Sequence, residues 1–135
     1  MSKPEMTLSV PGEKSWALVL RLALGGVAIL KDLDAGTLDD LRAASDEACD
    51  CLLHQSRKAE RLTLTVMDGG DQLTVSLGAD FSCEPGMDGA DCEEETEISR
   101  AVLETLVPFV DMQVEKCGCI SRIDLTLPKA VCMGA

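Results

Sequence analysis

The chain has 135 residues, with 24 Asp and Glu against 12 Lys and Arg, giving a formal net charge of −12. That length fits one domain with a real core and excludes two, while the acidic balance, with a pI near 4.3, excludes a nucleic-acid surface built on a basic stripe. One Trp, two Phe and no Tyr leave Leu, Val, Ile and Ala to fill the core and provide no base-stacking platform.

Met6, Leu8 and Val10 alternate with Thr7 and Ser9, which predicts a half-buried strand ended by Pro11 and Gly12. A helix follows from about Lys14 to Lys31. Gly25 and Gly26 inside it cost roughly 1 kcal/mol each relative to Ala, so either close packing explains them or the helix ends there. The apolar run 16–30 is too short for a bilayer, is broken by Arg21 and lacks a following cleavage site, so it reads as a buried or nearly buried helix with Arg21 snorkelling at its edge. A cytoplasmic location is expected.

Residues 38–54 place Leu38, Leu41, Ala44, Ala48 and Leu52 on one helical face, with Asp39, Asp40, Arg42, Asp46 and Asp50 mostly turned away. Thr37 is the expected cap, with Asp40 in the first turn. Glu47 and Cys51, four apart, share a shoulder of the buried face. His54, the single histidine, reads as a helix-end residue. Leu62, Leu64 and Val66, then Leu73, Val75 and Leu77, alternate with polar residues on either side of the turn MDGGD, which predicts a hairpin. No Lys or Arg occurs between Arg61 and Arg100, and residues 78–97 carry eight carboxylates, from Asp80 to Glu97, read as an acidic loop. Ile98, Ala101, Val102, Thr105, Leu106 and Phe109 mark a last helix from Glu97 to about Phe109, which Pro108 is expected to end or bend. Strands are expected from Met112 and over Ile123 to Leu127, joined by a turn from Cys117 to Cys119. The sum is an α+β fold, a mixed sheet of five strands with three helices on one face.

The seven cysteines are odd in number and lack zinc-knuckle spacing, so they read as reduced thiols acting as small hydrophobes or lying on loops, with an adventitious metal or redox site as the alternative. The acidic tract 84–95 raises the option of a metal-responsive module, although its spacing does not match an EF-hand loop.

The order of elements, with GGVA (25–28) in the first helix, SDEAC (45–49) in the second and LETL (103–106) in the last, resembles the anti-sigma factor serine-protein kinases of the histidine kinase-like ATPase superfamily. The resemblance spans almost the whole chain and implies a two-layer α/β sandwich. It implies that Glu47 matches the general base and that Cys51 stands where an asparagine ligates magnesium. A thiol is a poor substitute there, because magnesium takes oxygen ligands. Ala79 aligns with the adenine-reading aspartate and Phe81 with the glycine after it, unless a one-residue slip brings Asp80 in. Glu97 and Ser99 replace glycines of the turn that approaches phosphate. Three of the four nucleotide signatures therefore depart from the family pattern, and the acidic segment would repel a triphosphate.

From this the expected function is a regulatory protein-binding module that neither needs a cofactor nor phosphorylates, with a sigma factor or an antagonist protein as partner and pairing as a homodimer. Basic partners suit its charge. The alternative is an active serine/threonine-protein kinase using ATP and magnesium with Glu47 as base, and the second alternative is the metal-responsive acidic module. No membrane or nucleic-acid partner is expected.

Overall fold

In the structure, a computed structural model, residues 4–55, 58–81, 92–116 and 118–128 are described, with the side chains of 92–95 excepted. The elements run β1 (Met6–Pro11), α1 (Lys14–Leu30), α2 (Ala35–Leu53), β2 (Ala59–Asp68), β3 (Gln72–Phe81), α3 (Cys92–Leu106), β4 (Phe109–Val114) and β5 (Ile120–Pro128). The strands form one sheet in the order β1-β2-β3-β5-β4, and every neighbouring pair is antiparallel.

The expected mixed sheet is therefore corrected to an antiparallel one, and the connections explain it. Two helices joined by a short link carry the chain down and back up between β1 and β2, so β2 returns against β1. The single helix α3 does return β4 in the direction of β3, but β5 lies between them. Strands that run in the same direction, β3 and β4 among them, are thus never neighbours.

Alternation along the strands sends Leu62, Leu64, Val66, Leu73, Val75, Leu77, Ile123, Leu125 and Leu127 into one core beneath the helices. The opposite face carries Thr63, Thr65, Thr74, Ser76, Asp124 and Thr126, with the Ser76 hydroxyl donating to Asp124 Oδ1 at 2.5 Å. From α2 the core takes Leu41, Ala44, Ala48 and Leu52, as its periodicity predicts, together with Ser45 and Cys49.

Four local expectations change. The cap of α2 is Asp34, whose Oδ1 accepts from the Thr37 amide at 2.7 Å; Thr37 already lies in the first turn. That bond to Thr37 holds the Asp34 carboxyl below its ordinary range. Helix α3 begins at Cys92 rather than Glu97, and β3 extends to Phe81; residues 82–91 of the expected acidic loop lie outside the described residues. Glutamates are good helix formers and are favoured in a first turn, which accounts for the earlier start. The same helix ends at Leu106, and Phe109 opens β4. Its buried residues are Ser99 and Leu103, continued by Val107 just past its end, while Ile98 and Val102 are exposed.

Helix α1 is not buried all round, and here the structure departs furthest from expectation. Leu20, Leu24, Val27 and Ala28 enter the core, but Trp16, Leu18, Val19, Leu22, Ile29 and Leu30 are exposed. The helix continues through both glycines. A Cβ on Gly25 would sit 2.9 Å from Arg42 Nη2, so Gly25 admits that guanidinium between α1 and α2, whereas Gly26 has nothing within 4 Å. Arg21 reaches Asp46 at 3.4 Å. Among the described residues, no helix is long and apolar enough to cross a membrane.

Candidate functional site

Spacing on α2 creates the site. Glu47, Asp50, Cys51 and His54 fall at i, i+3, i+4 and i+7, one stripe along the helix, and α3 presents Thr96, Ile98 and Ser99 to it. With Gln55 these residues line a cleft of about 350 Å³, at the small end of the range for ligand pockets.

Inside it the Ser99 hydroxyl, on a buried residue, donates to Glu47 Oε2 at 3.1 Å. At the end of the helix Gln55 Nε2 donates to the Ile120 carbonyl at 2.8 Å while its Oε1 accepts from the Ile120 amide. A side-chain amide thus mimics a strand and fastens the end of α2 to the first residue of β5. Among the described residues the wall of the cleft carries no Lys or Arg, and Glu47 and Asp50 belong to its lining.

Among the described residues, two cysteines serve the core directly. Cys49 and Cys119 are buried, and burial, reinforced by the Asp46 carboxylate, pushes the Cys49 thiol up to about 12. A thiol held protonated in this way is a packing group, not a nucleophile. Cys51 is half-buried and belongs to the cleft.

The residues expected to form a nucleotide site are brought together only in part. Glu47, Cys51 and Ser99 share the cleft. Glu97 is exposed on α3 and does not line it; Ser99 lies beyond the first turn of that helix, not in an opening loop. Ala79 is buried opposite Leu62 on the helix side of β3. Asp80, one residue on, points to the other face, where it lines a shallow polar concavity with Thr63, Thr65, Ser76, Gln113 and Arg122. Strand alternation keeps it away from α2 and α3.

As donors for magnesium the cleft residues fit poorly. A hard cation needs several oxygens in octahedral array, and beside Glu47 the helix offers sulfur at Cys51. Among the described residues no group of three or more His, Cys, Asp or Glu could hold a metal ion. The metal-responsive tract 84–95 lies mostly outside the described residues.

Sequence reasoning placed His54 at a helix end but missed that it, Asp50 and Gln55 belong to the cleft. The stripe from Glu47 to His54 was readable from its spacing. Gln55 gave no signal, since its partner is remote in sequence.

No protein-family model matches the chain, and no curated protein matches it.

Proposed function

We propose that the chain is a regulatory protein-binding module of the anti-sigma type whose helix-lined cleft does not serve phosphoryl transfer. The observation that supports this best is the hydrogen bond from Ser99 to Glu47. It engages the carboxylate that a kinase of this type would use as base, and it does so from the helix that should approach the phosphates. Phosphoryl transfer depends on positioning and on neutralising charge. The described lining of the cleft puts the carboxylates of Glu47 and Asp50 and the thiol of Cys51 where a triphosphate would need neutralising cations. The partner on this reading is a sigma factor or the antagonist of one, held through a basic surface complementary to the net charge of −12.

Calorimetric titration of the reduced protein with ATP and ADP, with and without magnesium, tests the cleft. The conditions must resolve dissociation constants near 100 µM, roughly −5.5 kcal/mol. The expected result is no heat of binding in any condition. Magnesium-dependent binding that Glu47→Ala abolishes would replace this proposal with the active-kinase reading. The partner class is tested separately by titrating sigma factors and anti-sigma antagonist proteins from the same genome; failure of all of them to bind sinks the anti-sigma reading.

A further inference from the structure

We propose that the polar concavity on the sheet face opposite the helices binds a free α-amino acid with an uncharged polar side chain. The proposal does not rest on how the cleft between α2 and α3 is read, because strand alternation puts the two on opposite sides of the sheet.

Register builds the site. One row across this face runs Thr63, Gly78, Arg122 and Gln113, and the next runs Thr65, Ser76, Asp124 and Asp111. The hollow holds about 380 Å³, slightly more than the cleft between the helices. Gly78 opens it by leaving the centre of the first row without a side chain. Glycine weakens a strand interior, and nothing within the chain offsets that cost here. The backbone at Gly78 is not left-handed, and a Cβ would meet only the Ser121 carbonyl oxygen, at 3.5 Å, an ordinary contact. A strand glycine with no local cause marks the close approach of a ligand or another backbone.

The charges beside Gly78 say which ligand. Arg122 meets Asp124 Oδ1 through Nε at 3.2 Å, which steers the guanidinium and leaves both its terminal nitrogens without a partner among the described residues. Asp80 stands opposite Arg61 in register, yet Arg61 turns to Ser9, donating to its hydroxyl at 2.8 Å and to its carbonyl at 3.1 Å. Among the described residues Asp80 therefore has no cation paired with it. The planar fork of Arg122 suits a carboxylate, and the Asp80 carboxylate suits an ammonium. As diagonal neighbours on adjacent strands the two residues stand roughly 7–8 Å apart. An ammonium and a carboxylate on one carbon bridge such a gap with a charge-assisted hydrogen bond of about 2.8 Å at each end. Thr63, Thr65 and Gln113 surround the rest with uncharged donors and acceptors, which selects a hydroxyl or amide side chain. A dianion such as phosphate fits less well, because Asp80, Asp111 and Asp124 share this face.

Amide chemical shifts of the full chain read the binding while L-serine, L-threonine, L-asparagine and L-glutamine are titrated separately to about 10 mM, enough to detect dissociation constants near 1 mM. The expected result is saturable shifts at Thr63, Gly78 and Arg122 with at least one of the four. For the tightest of them, N-acetylation removes the ammonium and amidation removes the carboxylate, and each should weaken binding at least tenfold. Asp80→Asn should erase the preference for the free over the N-acetylated ligand alone, and Arg122→Gln the preference for the free over the amidated ligand alone. A general loss of structure would not split the two preferences in this way. Gly78→Val should fill the hollow and abolish the shifts while melting no lower than the parent, since a Cβ meets no clash there. Gly78→Ala, the gentler change, should weaken binding in the same direction and guards against a misfolded variant. No saturable shift with any of the four, or capped ligands that bind as tightly as free ones, would overturn the proposal. So would shifts that sodium acetate reproduces by itself, or shifts confined to the cleft between α2 and α3.

Discussion

The amide of Gln55 joins segments 65 residues apart and satisfies both backbone groups of Ile120. Removing it leaves a part-buried carbonyl and amide without their partner, and such groups cost about 1–3 kcal/mol. Gln55→Ala should therefore lower the unfolding free energy by about that amount, read as a lower urea midpoint at an unchanged slope. Gln55→Glu should not rescue it, because a carboxylate cannot donate to the Ile120 carbonyl. At this scale the sequence was only partly legible. A run of Asp and Thr before α2 shows that a cap exists, but whether Asp34 or Thr37 takes the role depends on where the backbone turns helical. The pairing of Ser99 with Glu47 depends on two helices meeting, which no local pattern encodes.

Lys31 does for the elements what Gln55 does for two residues. Standing just past α1, it donates to Glu5 ahead of β1 at 2.7 Å and to Asp68 at the end of β2 at 2.8 Å, so one ammonium ties the first helix to both strands beneath it. The hydrogen bond to Asp68, then that to Glu5, raises the Lys31 pKa above 10.5. A base whose pKa is higher folded than unfolded contributes its full stability below the unfolded value and loses it as pH climbs through the folded one. Urea midpoints taken from neutral pH into the region above 10.5 should thus fall with pH in the parent. Lys31→Met should be less stable at neutral pH and show a weaker alkaline fall; an equal fall in both would remove Lys31 as its cause. The elements themselves were largely readable from period: α2 and the β2–β3 hairpin stand where alternation and helical spacing put them. Helices α1 and α3 were misjudged because each has apolar residues on more than one side, and periodicity cannot say which side meets the sheet.

For the whole molecule, charge is the dominant uncompensated quantity. A net −12 on 135 residues works against the compact state, since folding brings the carboxylates closer together. Raising sodium chloride shortens the screening length from about 10 Å at 0.1 M to about 3 Å at 1 M, so the melting temperature should rise over that range. Chloride rather than sulfate keeps screening apart from surface exclusion. The rise should be the same at low and at high protein concentration; a rise confined to high concentration would make association and not self-repulsion its source. The α+β class and the five strands were legible from composition and pattern, while the direction of each strand was not, because it depends on counting crossings among elements that never touch in sequence. That topology also bears on synthesis. Strand β4 pairs with β5 alone, and β5 comes later in the chain. A ribosome that has released β1 to β4 therefore holds a nascent chain whose fourth strand has no partner and whose third has one bare edge. The sheet closes only when β5 emerges and slides between them, a late insertion that satisfies two strands at once and leaves both exposed to chaperones until then.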